Sequence, residues 1–218
     1  MQDKLNIGIL LPGHLRYWTD CKSNFLENLY DTNHNIDVYV DTYSSVFRSD
    51  YEMYGEKYKR IILSDAEIEE LFIDMNVVRF NVDSDDTKYK QISKLKKCYQ
   101  MLVDNKKNYD LIVRYRFDMM LEKKIDYVKI YEECIKNPKL IFIGKGGMDG
   151  LLNDMFAICI SKTFDIYMNR FKFSDYSNTE GMEHGSLKQI MIDHNIVYNM
   201  DTQILLKRPD DKIYRMGT

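Results

Sequence analysis

Residues 109–121 read YDLIVRYRFDMML, and this stretch decides the fold. Its apolar run at residues 111–113 is short, β-branched and bounded, which predicts a fully buried strand of a parallel sheet. Arg114, Arg116 and Asp118 follow that run. Ligands of an open α/β sheet bind outside the carboxyl ends of its strands, so these side chains would offer guanidinium groups and one metal-binding oxygen ligand to a polyphosphate. A surface salt bridge at the strand end is the alternative, and the stretch alone does not separate the two.

Length and composition restrict the class of protein. The 218 residues suffice for a hydrophobic core in one domain or at most two, and 44% hydrophobic residues exclude a disordered chain. A net charge of −3 gives no general basic surface, so no nucleic-acid partner is expected. A local cluster of Lys94, Lys96 and Lys97 could still serve one anionic ligand. No apolar run is long enough to span a bilayer, so we expect no transmembrane segment.

The four cysteines, Cys21, Cys98, Cys134 and Cys159, are widely spaced and form no CxxC pair. This spacing argues against a structural zinc site and favours reduced thiols over a disulfide framework. The first residues have too short an apolar run for a signal peptide and are typical of a first strand. A cytoplasmic location is therefore expected.

The first strand-to-helix loop is a candidate anion site. The predicted strand at residues 5–11 ends in Pro12, Gly13 and His14, and Arg16 follows before a helix. Such a loop presents backbone N–H groups and a helix N-terminus to an anion, and Arg16 adds a planar bidentate donor. Neither GxGxxG nor GxxxxGK[ST] is present, so the sequence supports no dinucleotide fingerprint and no P-loop. His14 is expected to be a loop residue rather than a metal ligand.

The second predicted strand, residues 36–40, delivers Asp41 and Thr42 to the same edge of the sheet. A carboxylate at this position could accept a hydrogen bond from a ribose hydroxyl or a base. It could equally serve the turn itself, and both interpretations stay open.

An acidic run follows the predicted strand at residues 77–82. Asp83 and Asp85 form an Asp-x-Asp pattern, but they open a long predicted helix at residues 87–107, where acidic residues suit the N-cap and the helix dipole better than a metal. Lys94 lies off the apolar stripe of that helix, so it is either solvated or turned toward the ligand edge.

The second half of the chain carries further carboxylates. Asp154 stands before a predicted buried strand, downstream of a glycine-rich loop at residues 144–150 that permits close backbone approach. A predicted helix at residues 179–195 carries Glu183 and His184. The other predicted elements are a strand at 59–63, a helix capped by Ser64 and Glu67, a helix at 127–136, a strand at 140–143, a helix at 161–171 and a strand at 196–200.

These elements predict one α/β domain over residues 1–218, with a mostly parallel, Rossmann-like sheet flanked by helices. Residues 1–121 would form the nucleotide-binding half, and residues 122–218 would supply the acceptor side. The long helix between two predicted strands favours a right-handed parallel crossover.

Five segments resemble one known family. They are PGHLRYW at 12–18, DVYVDTYSS at 37–45, YDLIVRYRFDM at 109–119, NDMFAICISK at 153–162 and, less specifically, GMEHGSLKQIMIDHNIV at 181–197. In order and spacing they resemble small viral and bacterial glycosyltransferases of the GT-A fold. That group includes the nucleotide-sugar-dependent transferases of large algal DNA viruses.

The resemblance implies a GT-A-like fold and a metal-dependent activity. The reaction implied is sugar transfer from a nucleotide-diphosphate sugar, above all a UDP-sugar, to a glycan or another hydroxyl acceptor, with Mn²⁺ or Mg²⁺. A viral origin would place it in the host cytoplasm. The family's metal motif, usually Asp-x-Asp, falls on Arg116-Phe117-Asp118. Asp118 would hold the ion, with His184 as a further contact, and Arg116 replaces the first Asp.

The same resemblance suggests a role for each candidate residue. Asp154 would face the sugar, as a base toward the acceptor hydroxyl or as a positioning group, and Glu183 is the second catalytic candidate. The candidate donor-binding residues are Pro12, Gly13, His14, Arg16, Asp41, Thr42, Lys94, Arg114 and Arg116.

Two other functions compete with this hypothesis. A non-catalytic nucleotide- or glycan-binding module of the same fold is favoured by Arg116 in the metal motif. A sugar nucleotidyltransferase is the other, although the first loop lacks a glycine-rich signature ending in Lys or Arg.

Overall fold

The computed structural model describes residues 4–15, 17–47, 60–84, 91–144, 153–169, 191–202, 204–207 and 213–215. Its strands are β1 (Asn6–Pro12), β2 (Asn35–Tyr43), β3 (Ser45–Phe47), β4 (Arg60–Ile62), β5 (Val77–Asp83), β6 (Leu111–Tyr115), β7 (Met119–Leu121), β8 (Leu140–Gly144), β9 (Asn153–Cys159), β10 (Val197–Thr202), β11 (Ile204–Lys207) and β12 (Ile213–Arg215). Its helices are α1 (Trp18–Asn28), α2 (Asp65–Glu70), α3 (Gln91–Asp104), α4 (Tyr127–Lys136) and α5 (Ser161–Asn169).

The main sheet has seven strands in the order β10-β8-β9-β6-β1-β2-β5. Neighbouring strands are parallel except at β9, which is antiparallel to both β6 and β8. A three-stranded sheet, β12-β11-β7, and the pair β3-β4 are antiparallel. The predicted α/β domain with a mostly parallel sheet flanked by helices is confirmed.

The side of the sheet on which the chain adds new strands changes at β1. From β1 the chain adds β2 and then β5 on one side, and it returns to place β6 on the other side of β1. The connections that leave β1 and β6 therefore run in opposite directions along the sheet. Ligands of such sheets bind in the crevice that opens at this switch point, outside the carboxyl ends of the strands.

Helices cover both faces of the sheet. Tyr115 of β6 makes an edge contact with Phe25 of α1, with ring centroids 5.2 Å apart, whereas its neighbour Arg114 bonds to Tyr167 of α5. Because consecutive residues of a strand point to opposite faces, α1 and α5 lie on opposite sides.

The helix α3 packs beside α5 and against β1. Tyr99 of α3 contacts Phe164 of α5, with ring centroids 5.7 Å apart. A Cβ atom on Gly8 of β1 would lie 2.7 Å from Leu102 Cδ1 of α3. A larger residue at this position would therefore require the Leu102 side chain to move.

An aromatic cluster joins the helix after β1 to the loop after β6. Trp18, which is almost fully buried, contacts Phe117 at 5.3 Å and Phe72 at 5.6 Å between ring centroids. Asn24 of α1 donates a hydrogen bond to the Leu121 carbonyl and accepts one from the Leu121 N–H, at 3.0 and 2.7 Å. These contacts fix the segment between β6 and β7 against α1.

Three predicted positions need correction. The strand predicted at 36–40 continues to Tyr43, because Asp41, Thr42 and Tyr43 also pair with β5. Arg114 lies inside β6 rather than beyond its end. Asp83 is the last residue of β5, so the assignment of Asp83 to a helix N-terminus is wrong. Each error arises because polar residues continue a strand whose neighbours supply the hydrogen bonds.

Other predictions are confirmed or lie outside the described residues. The capping box of Ser64 and Glu67 is present in full, and α4 has the predicted bounds. The glycine-rich loop from residue 145 to 150 lies outside the described residues, as does most of the helix predicted at 179–195. Within the described part of the chain, no helix combines the length and the apolar character that crossing a membrane requires.

Candidate functional site

The candidate site lies at the carboxyl edge of the parallel strands, on both sides of the switch point. We call it the switch-point site and define it by residues 12–14, 41–43, 83, 94 and 116–118. The Gly13 N–H donates to the Asp41 carbonyl at 2.9 Å, and the Thr42 hydroxyl donates to the Gly13 carbonyl at 2.8 Å. Gly13 has φ +115°, a conformation that strains other residues. Pro12, Gly13, Asp41 and Thr42 thus lie together at one edge, as expected from the sequence.

Lys94 is buried in this site and contacts two carboxylates. Its Nζ lies 2.8 Å from Asp41 Oδ1 and 2.9 Å from Asp83 Oδ2, and it also donates to the Thr42 carbonyl. The Lys94 side chain is 1% exposed and that of Asp41 is fully buried. Of the two alternatives for Lys94, solvated or turned toward the ligand edge, the structure shows the second.

The two carboxylates beside Lys94 differ in their electrostatics. Burial raises the pKa of Asp41, and the hydrogen bonds from Lys94 and Asn81 only partly offset that rise. Burial would also raise the pKa of Asp83, but the hydrogen bonds from Lys97 and Lys94 outweigh it and hold the pKa well below its usual range. Asp41 Oδ2 is buried and has no hydrogen-bond partner among the residues that the structure describes.

The ring of Tyr43 links Lys94 to the first loop. His14 stacks on this ring, with centroids 4.4 Å apart, and Lys94 Nζ lies 4.1 Å from the ring centroid. His14 is itself buried. Its packing agrees with the expectation of a loop residue, and its role toward a donor stays a prediction.

Arg116 and Asp118 form a bidentate ion pair after β6. Arg116 Nε and Nη2 lie 2.5 Å from Asp118 Oδ1 and Oδ2 respectively. The Asp118 side chain is 3% exposed and that of Arg116 is 17% exposed. The structure thus contains the salt bridge that the sequence left open as an alternative at this strand end, with Asp118 buried and Arg116 partly exposed. Phe117, between them in sequence, packs against Trp18 and so holds the loop in place.

Arg114 lies inside β6, on the face of the sheet that α5 covers. Its Nη1 donates to the Tyr167 hydroxyl at 2.9 Å, and the residue is almost fully buried. The strand-end position expected from the sequence is corrected to a position inside β6. Its predicted contact with a donor stays a prediction.

The register of β9 locates the backbone of Asp154. Phe156 of β9 pairs with Tyr115 of β6, and the two strands are antiparallel. Asp154, two residues before Phe156, is therefore level with Phe117, at the edge where Arg116 and Asp118 lie. Arg16, Glu183 and His184 lie outside the described residues.

The fit of the site to Mn²⁺ or Mg²⁺ depends on its carboxylates. No group of three or more His, Cys, Asp or Glu side chains that could hold a metal occurs within the described ranges. The carboxylates of Asp41, Asp83 and Asp118 each pair with a lysine or an arginine. This arrangement fits bound cationic side chains better than a divalent ion, and the metal site expected from the resemblance stays a prediction.

A surface cavity of about 480 Å³ lies elsewhere, at the amino ends of β1 and β2. Lys4, His34, Lys124 and Tyr127 are among the residues that line it, and none of the predicted site residues does. It is thus a competing location for a ligand, at the opposite edge of the sheet.

Sequence reasoning missed several residues of the site. Asp83 and Asn81 join the Lys94 network from β5, and Tyr43 joins it from β2. Asp83 could have been found, because it ends the third parallel strand just as Asp41 lies near the end of the second. The packing partner Trp18 carries no such signal, since a tryptophan on a helix is usual in any core.

Comparisons with known proteins assign no family to this chain. No protein-family model and no curated protein matches it. Among solved structures, one similar chain is a Bacillus anthracis protein described as a glucose-1-phosphate thymidylyltransferase, in complex with a sucrose. It is 11% identical, with a TM-score of 0.49, over 92% of this chain and 89% of that chain. A likeness this distant assigns neither an activity nor a substrate to this chain.

Proposed function

We propose that the protein is a glycosyltransferase that moves a sugar from a nucleotide-diphosphate sugar to a hydroxyl acceptor. The observation that carries this proposal is the ion pair Arg116–Asp118, which follows β6 beside the switch point of the sheet. A partly exposed guanidinium at this edge suits the diphosphate of a donor, since planar forks bind phosphate oxygens well. Of the segments that resemble glycosyltransferases, those at the ends of β1, β2 and β6 lie at the same edge.

The reaction sets clear chemical demands. The acceptor oxygen forms a bond to the anomeric carbon, while the bond from that carbon to the β-phosphate oxygen breaks. The electron pair of the broken bond leaves with the nucleoside diphosphate, and the hydroxyl proton passes to a carboxylate. Charge therefore develops on the diphosphate, and preorganised positive groups that face it lower the barrier.

Each part of the switch-point site has a proposed task. The start of α1 would offer backbone N–H groups to the phosphates, while the Gly13 N–H holds the Asp41 carbonyl. Asp41 and Thr42 would lie near the nucleoside, held in place by Lys94. Asp154 is the proposed base or positioning carboxylate, and the register of β9 supports its place at this edge.

A sugar nucleotidyltransferase is the second candidate, because it would use the same class of nucleotide-sugar compound. The first loop weighs against it. Only residues 13–17 separate β1 from α1, and Gly13 is their single glycine. A non-catalytic binding module is the third candidate, and it would retain donor affinity without turnover.

Release of nucleotide separates the three candidates. The full chain is incubated with a panel of UDP-, GDP- and dTDP-sugars, with and without Mn²⁺, and nucleoside diphosphate is quantified. A glycosyltransferase releases it slowly even to water, and Asp154→Asn should lower that rate while donor affinity measured by calorimetry stays unchanged. Binding without release would indicate the module. Pyrophosphate release from a nucleoside triphosphate and a sugar 1-phosphate would indicate the nucleotidyltransferase.

A further inference from the structure

The ion pair of Arg116 and Asp118 has a consequence for the cofactor requirement. We infer that the guanidinium of Arg116 supplies the positive charge that faces the leaving diphosphate, so that sugar transfer proceeds without a divalent metal ion. This inference rests on the proposed function. It differs from what the resemblance implies, in which Asp118 holds Mn²⁺ or Mg²⁺.

The geometry of the pair is the first argument. Both Asp118 oxygens accept a hydrogen bond from the same guanidinium, at 2.5 Å each. Parallel charge-assisted bonds of this kind are the strongest and most directional that a carboxylate makes with a side chain. They use the Nε–H and one Nη2–H group of the guanidinium and fix the orientation of its plane. The carboxylate therefore holds a cation, and that cation is Arg116.

Electrostatics supply the second argument. A divalent ion on Asp118 would lie close to a guanidinium that never loses its charge, and the two positive charges would repel each other. Mg²⁺-like ions also keep several waters of their own, whereas the Asp118 side chain is 3% exposed. Metal binding would thus need both displacement of Arg116 and entry of water to a buried carboxylate.

The other carboxylates of the site give the third argument. Asp41 pairs with Lys94, and Asp83 pairs with both Lys94 and Lys97. Each described carboxylate of the switch-point site is therefore matched by a lysine or an arginine of the chain. A diphosphate that arrives at this edge meets fixed cations of the protein. Lys94 is buried, Lys97 is half-exposed beside Asp83, and Arg116 is the partly exposed cation that follows β6.

The primary test is chelation of the wild-type full chain. With a donor sugar from the panel, release of nucleoside diphosphate in EDTA is expected to match release in Mn²⁺ or Mg²⁺. Calorimetry with UDP in EDTA provides a readout besides turnover, and the affinity is expected to be unchanged by added metal. Turnover and UDP binding that disappear in EDTA and return with Mn²⁺ would overturn the inference while leaving the proposed function intact. No release and no binding in any condition would defeat the proposed function and, with it, this inference.

Substitutions of Arg116 provide a second test. Arg116→Ala is expected to slow release by about 10²-fold or more, the range seen when one preorganised donor to a developing charge is removed. Arg116→Lys keeps the charge but loses the fork, so its rate should fall between those of wild type and Arg116→Ala. Circular dichroism melting establishes that each variant is folded.

Arg116→Asp reverses the expected metal dependence. This substitution creates an Asp-x-Asp pattern around Phe117, with two carboxylates and no guanidinium. Its activity is expected to be low in EDTA and to rise when Mn²⁺ is added, in contrast to wild type. If Arg116→Asp and Arg116→Ala both release nucleoside diphosphate in EDTA as fast as wild type, Arg116 does not face the diphosphate. That result would contradict the inference.

Discussion

Lys94 and Asp41 form the most deeply buried ion pair of the switch-point site. Removing a charge from water is costly, and a buried pair is stable only when each charge has a close partner. Lys94 meets this condition through Asp41, Asp83 and the Thr42 carbonyl, and Asn81 adds a hydrogen bond to Asp41 at 2.8 Å. The network thereby fixes the end of β2 against α3 and β5.

Replacement of Lys94 by methionine should therefore be strongly destabilising. Lys94→Met leaves the Asp41 carboxylate buried without its cation, and such a loss costs about 3–5 kcal/mol of unfolding free energy. Urea denaturation measures this change. Lys97→Met is the matched control, because Lys97 is on the same helix but half-exposed, and its pair with Asp83 should contribute less than about 1 kcal/mol. Equal losses of unfolding free energy in Lys94→Met and Lys97→Met would contradict the claim that burial makes the loss of Lys94 more costly.

A second substitution, at Asp41, should restore part of the stability that Lys94→Met loses. Adding Asp41→Asn to Lys94→Met removes the stranded charge, so the double variant should be more stable than Lys94→Met alone. A double variant that is less stable than Lys94→Met would indicate that Asp41 is stabilised by groups other than Lys94.

Sequence reasoning at the residue scale succeeded where strand topology alone decides the answer. Asp41, Thr42 and Gly13 meet because the carboxyl ends of adjacent parallel strands meet. The burial of Lys94 could not be predicted, because helical periodicity shows only that it lies off the apolar stripe. The sequence offered a salt bridge after β6 as one of two alternatives and could not decide between them, since the local backbone turn determines whether Arg116 and Asp118 can bond.

At the scale of elements, the strand β7 depends on helix α1. Asn24 binds both the N–H and the carbonyl of Leu121, and β7 begins directly after the loop that carries Arg116 and Asp118. One amide side chain therefore replaces a neighbouring strand at this position. The contact joins the helix after β1 to the segment after β6, which are the two sides of the switch point.

Loss of this contact should loosen β7. Asn24→Ala leaves two backbone groups of the buried Leu121 without a partner, and the expected loss is about 1–3 kcal/mol. Thermal or urea unfolding measures it. Ser23→Ala is the matched control, because Ser23 is its exposed neighbour on α1 and should change stability by less than about 0.5 kcal/mol. An Asn24→Ala protein as stable as the control would contradict the role of Asn24.

The sequence predicted most elements and a mostly parallel sheet, but not the direction of β9. The run at β9 is apolar and buried, which is the same pattern that a parallel strand would show, so its antiparallel direction could not be inferred. That direction matters for the site, because it brings Asp154 at the start of β9, rather than a residue at its end, to the carboxyl edge.

At the scale of the whole molecule, two locations compete for a ligand. The switch-point site lies between the connections after β1 and β6, where topology predicts binding. The surface cavity of about 480 Å³ lies at the opposite edge of the sheet, at the amino ends of β1 and β2, and is lined in part by Lys4, His34 and Lys124. The proposed function requires the first location.

Hydrogen exchange with and without a bound donor separates the two locations most directly. The full chain is measured by mass spectrometry with the nucleotide sugar that gives the largest thermal stabilisation, since a ligand that binds the folded state raises its stability by mass action. The account predicts slower exchange in residues 12–18, 41–45 and 114–121, with no change in residues 31–35 and 124–128. Protection confined to residues 31–35 and 124–128, or no protection at any segment, would contradict it.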